Sequence, residues 1–224
     1  MISVMSQKSQ IGFFISFEGS EGCGKSTQVR LLVDSLSAAG YTPVVVREPG
    51  GTPIGESVRH LLQHSAEGRA MAPETELLLF AASRAQLVRQ EILPALQAGQ
   101  IVISDRFLDS TTVYQGVGRN IPAEIVESIN RFAAGPRLPD ITFLLDMDPA
   151  EARRRLVDRS EGKRDRMEEQ PSAFYEAVRR GYLELAATQQ DRICLLDATK
   201  PESQIAREIR AALSPHAIFK GIGV

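Results

Sequence analysis

FEGSEGCGKST, residues 17–27, closes the short apolar run FFISF (13–17) and leads straight into the amphipathic stretch STQVRLLVDSLSAAG. Gly19-Ser20-Glu21-Gly22-Cys23-Gly24-Lys25-Ser26 fits G-x-x-x-x-G-K-[ST] at every fixed position. A strand before it and a helix after it are the setting in which that pattern makes a phosphate-binding loop. The glycines let backbone N–H groups turn inward around an anion, and the following helix points the positive end of its dipole at the same place. Lys25 is placed to bridge the outer phosphates of a nucleotide such as ATP, and the Ser26 hydroxyl to hold Mg²⁺, with Thr27 completing the stretch. The competing reading, a chance glycine-rich turn, is disfavoured by the flanking strand and helix. Cys23 reads as a small filler in the loop, since nothing near it marks it as reactive.

Working outward, four further β-rich apolar runs recur at 42–46 (TPVVV), 101–104 (IVIS), 141–145 (ITFLL) and 193–196 (ICLL). They are continuous rather than alternating, as in strands buried on both faces of a parallel sheet. Between them lie helical patterns at 26–39, 55–64, 74–97, 122–133, 149–160, 172–188 and 202–213. The strand–helix order predicts an α/β fold, a P-loop NTPase-type doubly wound sheet of about five parallel strands flanked by helices. The expected organisation is a flexible N-terminus over 1–10, one domain over 11–213 with a helical lid at about 150–171, and a tail over 214–224. Of 224 residues, 43% are hydrophobic and 24% charged, within the range of ordinary globular proteins. No apolar run approaches a membrane span. The net charge of −2 argues against a nucleic-acid binder, and two cysteines, Cys23 and Cys194, exclude a disulfide scaffold. A cytoplasmic setting is expected.

Ligands in such sheets lie at the carboxyl ends of strands. There the chain places Arg47-Glu48-Pro49-Gly50-Gly51-Thr52 after the second run and Asp105-Arg106-Phe107 after the third. A carboxylate at Asp105 can order the water shell of Mg²⁺, and Arg106 can grip a phosphate through two parallel hydrogen bonds. The alternative for this dipeptide is a surface ion pair. Phe80 and Arg84, four apart on the long helix, share a face, so Phe80 could stack on a base while Arg84 donates to its carbonyl. Taken alone, Phe80 reads as a core residue. Ser110, Thr111, Tyr114 and Gln115 add donors, acceptors and an aromatic within reach of one ligand.

FEGSEGCGKST, REPGGTP, FAASRAQ, DRFLDSTTVYQG and LDAT together resemble the thymidylate kinase family, in order and spacing, over residues 11–213. The resemblance implies transfer of the γ-phosphoryl of ATP to dTMP, giving dTDP, with Mg²⁺ and usually by a homodimer. It implies thymine stacking for Phe80 and a bond to the base for Arg84. Thr111 and Gln115 match residues at the base edge, and Tyr114 matches the aromatic that disfavours a ribose 2′-hydroxyl. Arg59 and Arg106 match the arginines on the acceptor phosphate, Glu21 the carboxylate reading the sugar 3′-hydroxyl, and Glu48 a carboxylate near the transferred group. The family often has Tyr at the position of Phe107, Ser or Asn at Thr111 and Ala at Val113.

Residues 151–166, EARRRLVDRSEGKRDR, are rich in arginine. One reading is a solvated charged helix. The other is a lid that closes an arginine over the transferred phosphoryl, worth on the order of 10³–10⁵ in rate. Gly22 stands where some relatives carry a loop arginine, which points to the lid. Arg166 within DRME (165–168) is the first candidate, and Arg159 is placed near the nucleotide. An acceptor phosphate, with a second pKa of about 6, is already nucleophilic, so no general base is needed. Catalysis then reduces to aligning two polyanions, by Lys25, Arg59, Arg106, Arg166 and Mg²⁺. His60 and His64 lack the Glu of a zinc protease motif and read as helix-face residues. The rival enzyme is a deoxynucleoside kinase, or another nucleoside monophosphate kinase; a hydroxyl acceptor would need a base such as Glu18. A nucleotide-driven regulatory ATPase is the rival of another class.

Overall fold

The computed structural model describes residues 12–159 and 165–219. The expectations for 1–10 and for the end of the tail lie outside those residues, as does the middle of the lid. Five strands, β1 (Phe13–Glu18), β2 (Val44–Arg47), β3 (Ile101–Asp105), β4 (Ile141–Asp146) and β5 (Ile193–Asp197), form one sheet in the order β2-β3-β1-β4-β5. All four pairings are parallel, with Phe17 opposite both Asp105 and Phe143. Each strand matches an apolar run of the sequence to within two residues.

The central strand shows why those runs are continuous. Ile15 and Phe17 face one core, with Leu32 and Leu36 of α1 (Lys25–Ala38) and Ile205 and Ile209 of α9 (Glu202–Leu213). Phe14 faces the other, with Leu87, Ile92 and Phe107. All three strand residues are fully buried; at roughly 1.5–3 kcal/mol for each such side chain, β1 anchors both layers. Hydroxyls carry the polar positions, as Ser16 and Thr142 meet at 2.7 Å across β1 and β4.

Helices α2 (Pro53–Gln63), α6 (Ala123–Ala134), α7 (Pro149–Arg159) and α8 (Ser172–Thr188) lie where the periodicity puts them. Two segments differ. The expected continuous helix over 74–97 divides into α3 (Pro73–Leu87), a widened π turn (Val88–Ile92) and α4 (Leu93–Gln97). Pro94 has no N–H to return to the preceding turn, so the ladder loosens just before it. The stretch after β3, where no helix is expected, is α5 (Leu108–Thr111) running into a π turn (Thr112–Val117). Thr111, Thr112 and Val113 are β-branched and poor helix formers. What starts the helix is distant in sequence: Glu18, at the end of β1, accepts from the backbone N–H of Phe107 (2.8 Å) and Ser110 (3.2 Å).

Candidate active site

The carboxyl ends of β1, β2 and β3 open into one cavity of about 310 Å³. Glu21, Lys25, Ser26, Glu48, Arg59, Phe80, Arg84, Asp105, Arg106, Thr111, Tyr114 and Gln115 all line it. Residues from four separate stretches of sequence are thus brought to one wall-to-wall site at the strand ends, where the sheet topology makes a crevice.

The loop after β1 turns on three glycines with positive φ, Gly19, Gly22 and Gly24. At Gly22 a Cβ would stand 2.3 Å from the Ala152 carbonyl oxygen of α7. The loop and α7 approach too closely for any side chain there, which is why the loop carries no arginine. Lys25 Nζ donates to the carbonyls of Gly19 (3.0 Å) and Ser20 (2.7 Å), so the cation is held inside the loop. Cys23 is buried in the core beneath. Ser26 Oγ donates to Asp105 Oδ2 at 2.7 Å, two hard oxygen ligands side by side.

Arg106 occupies the left-handed region, with φ 72°. A non-glycine residue there is held by its surroundings. Its N–H donates to Phe17 O, and Ser104 Oγ donates to its carbonyl. The guanidinium donates to Glu21 Oε1 (2.8 Å) and Ser110 Oγ (2.9 Å) and lies over the Tyr114 ring at 5.2 Å. Tyr114 OH donates to the other Glu21 oxygen at 2.8 Å. Across the cavity Arg59 donates to Pro49 O at 2.9 Å.

Arg84 is almost wholly buried and bonds in four directions. It pairs with Glu48 at 2.6 Å and also donates to Asn130 Oδ1, Thr111 Oγ1 and the Phe107 carbonyl. Burial raises the Glu48 pKa more than the Arg84 charge and hydrogen bonds lower it, so it ends above its ordinary value. Phe80 is half-buried and lines the cavity, so the core alternative does not hold for it.

The model of the thymidylate kinase family matches residues 17–209. The chain belongs to the thymidylate kinase family. It is 46% identical over 205 residues to a thymidylate kinase of Desulfosudis oleivorans, covering 89% of this chain and 95% of the relative. With that of Deinococcus radiodurans it shares 44% over 203 residues, covering 91% and 97%. The crystal structure of the Ehrlichia chaffeensis thymidylate kinase superposes with a TM-score of 0.73 at 34% identity, covering 91% of this chain and 98% of that one.

Within this thymidylate kinase one expected site residue stands apart. Arg166 does not face the phosphate loop. Its Nη2 pairs with Glu76 Oε2 at 2.6 Å and its Nε donates to Leu62 O at 2.7 Å, beside a neighbouring cleft with Arg69 and Arg119. The expectation that Arg166 closes over the transferred group is therefore not met in this conformation: a buried carboxylate offers the guanidinium a stronger partner than open solvent. Its neighbours Asp165, Met167 and Glu168 line the cavity instead. Thr27 lies in the first turn of α1 and outside the cavity lining, and the Arg159 side chain lies outside the described residues.

Sequence reasoning missed the role of Glu18. It is fully buried, accepts from Ser110 Oγ (2.6 Å) and Tyr182 OH (2.8 Å) besides the two backbone donors, and does not line the cavity. A base for a hydroxyl acceptor cannot be sealed in this way, so the deoxynucleoside kinase alternative loses its candidate. Burial, then the nearby Asp109 charge, push Glu18 up to about 7 against the pull of Arg106, Ser110 and Phe107. The folded state therefore binds a proton that the unfolded chain has lost, and stability from this group is full below about pH 4.5 and declines through pH 7. In Glu18→Gln the amide oxygen still accepts both N–H groups while its nitrogen donates to the two hydroxyls. Urea denaturation from pH 5 to 8 is expected to show the variant gaining on the natural protein as pH rises, by at most about 1.4 kcal/mol per unit. A constant gap across that range would refute the assignment.

Proposed function

We propose that the cavity holds dTMP with its phosphate between Arg59 and Arg106 and its base against Phe80, Arg84, Thr111 and Gln115. As a thymidylate kinase the chain is a phosphotransferase using ATP and dTMP. The single observation that carries the residue assignment is the convergence of these side chains with Lys25 in one cavity.

The ATP phosphates lie in the loop Gly19–Thr27, where Lys25 exchanges its two carbonyl partners for phosphate oxygens. Glu21, held by Arg106 and Tyr114, is available to the sugar 3′-hydroxyl, and Glu48 lies at the transfer point. Ser26 and Asp105 are the residues that would hold Mg²⁺, which offsets phosphate charge when bound. The protein's own part is to fix two anions in line, since the acceptor oxygen needs no base. Arg155, which donates to Ala198 O at 3.2 Å, joins α7 to the loop after β5. Both cysteines are free, which suits a reducing, cytoplasmic compartment.

The test is incubation with ATP and either dTMP or thymidine. dTDP formation with no reaction of thymidine is expected. Phosphorylation of thymidine alone, or ATP hydrolysis indifferent to dTMP, would overturn the reading.

The homodimer reading is supported by an apolar surface on adjacent helices. Phe132 of α6 is 82% exposed, and Ile125 on the same helix and Leu78 on α3 are about half exposed. Exposed apolar side chains gathered on one surface, unlike single ones, mark an interaction site. Phe132→Asp, at a side chain that is 82% exposed, is expected to halve the mass seen by sedimentation equilibrium. A variant that stays at the natural protein's mass removes α6 from the interface.

A further inference from the structure

Outside the reacting groups, one buried carboxylate gathers four donors from three residues. Glu76, on α3, is 1% exposed. It accepts from Gln115 Nε2 at 2.8 Å and from Arg119 Nε and Nη2 at 3.1 and 3.2 Å, and it pairs with Arg166 at 2.6 Å. Burial alone would raise its pKa, but the bonds from Arg119 and Gln115 and the two arginine charges outweigh it and hold the pKa below its ordinary value. Glu76 is thus a carboxylate, able only to accept.

That has a consequence for its neighbour. A Gln amide has a donor end and an acceptor end, and which one faces a ligand is decided by what holds the other. Beside Glu76 only the nitrogen end is tolerated, since oxygen against carboxylate would set two acceptors together in a buried site. The carbonyl oxygen of Gln115 is then the polar end left for the cavity wall it lines; among the described residues no protein donor is bonded to it. An oxygen there accepts from a pyrimidine ring N–H, which thymine carries at position 3. Cytosine has a lone pair at the same position and would face it acceptor to acceptor.

We propose that Glu76 is a positioning residue for base recognition: it fixes the sense of the Gln115 amide, so that the pocket selects a ring N–H and rejects a ring lone pair. The inference rests on the placement of the base beside Gln115 proposed above. Arg119 and Arg166 keep Glu76 charged and in place, so the same carboxylate also joins the segment after β4 and α7 to the base pocket.

The experiment compares kcat/KM for dTMP and dCMP, with dissociation constants by calorimetry where dCMP turns over too slowly to measure. Glu76→Gln frees the Gln115 amide to turn, because the new side chain can donate or accept. It is expected to reduce the dTMP-over-dCMP preference at least tenfold, chiefly through KM. Glu76→Asp keeps the charge for both arginines but withdraws it by one methylene from Gln115; it is expected to lose the same preference with a melting temperature near that of the natural protein. Added to Gln115→Ala, Glu76→Gln should change the preference less than twofold, since the residue it acts through is gone. Equal losses for both nucleotides, or full additivity with Gln115→Ala, would overturn the proposal. A preference intact in Gln115→Ala would show instead that the base is not read there, removing the pocket assignment itself. A preference lost in Gln115→Ala but kept in both Glu76 variants removes only the role of Glu76.

Discussion

Arg106→Ala is expected to lower kcat/KM for dTMP on the order of 10³-fold, the scale at which preorganised charge on a transferring group is measured. The guanidinium sits between Glu21, Ser110 and the Tyr114 ring, with its bonds at 2.8 and 2.9 Å, so it is aimed before any phosphate arrives. Its position depends on a backbone that an ordinary residue avoids, at φ 72°. Activity and stability should therefore separate. Alanine keeps the left-handed cost and loses the bonds, whereas glycine adopts that φ freely; Arg106→Gly is expected to be as inactive as Arg106→Ala yet more stable by about 1 kcal/mol. Steady-state kinetics with paired urea melts checks both halves. Turnover within tenfold of the natural protein in either variant would remove Arg106 from the acceptor site.

Glu48→Ala is expected to destabilise the protein by about 3–5 kcal/mol, the largest stability effect anticipated from a single polar substitution here. The magnitude follows from burial. Arg84 is 1% exposed, and Glu48 takes up its Nε and Nη2 hydrogens at 2.6 to 3.1 Å. Without the carboxylate a guanidinium cannot lose its proton and is left charged in the interior, with Asn130 and Thr111 as insufficient partners. Two further measurements distinguish this from simple loss of packing. Glu48→Gln, which still accepts, should lose less than half as much. Glu48→Ala combined with Arg84→Met should be more stable than Glu48→Ala alone, because the stranded charge is gone. Equal stability of the single and double variants would show that Arg84 is reached by water when Glu48 is missing.

These two sites were legible in the sequence to different depths. Arg106 follows an apolar strand by one residue, so strand topology alone carried it to the ligand end of the sheet. Phe80 and Arg84 could be put on one helix face from their spacing. Nothing local showed that Arg84 meets Glu48, 36 residues earlier, or Asn130, 46 residues later. The segment after β3 shows no helical pattern in the sequence for a similar reason: its first turn is capped by Glu18, whose bonds to it span about 90 residues. The break in the long helix was different, since Pro94 stood in plain view and its missing N–H was sufficient cause.

Arg166 marks the limit most clearly. Its DRME context and the arginine-rich stretch before it suggested a cation directed at phosphate, and the glycine at position 22 agreed. Packing then showed why position 22 is glycine, because Ala152 leaves no room for a Cβ. The direction of Arg166 did not follow from it, because the side chain chooses among partners that only packing assembles. Here those are Glu76 and the Leu62 carbonyl.

By itself the sequence determined the phosphate loop, the five parallel strands, the order of helices around them and the family, because each depends on neighbours within a turn or a strand or on contiguous motifs. The tertiary structure alone decided which charges meet: Arg84 with Glu48, Glu18 with the start of α5, and Glu76 with Gln115, Arg119 and Arg166. The reason is physical. Backbone periodicity is a short-range property written residue by residue, whereas a buried charge is neutralised by whatever opposite charge the packed chain brings within about 3 Å, and that distance is set only when the whole core closes.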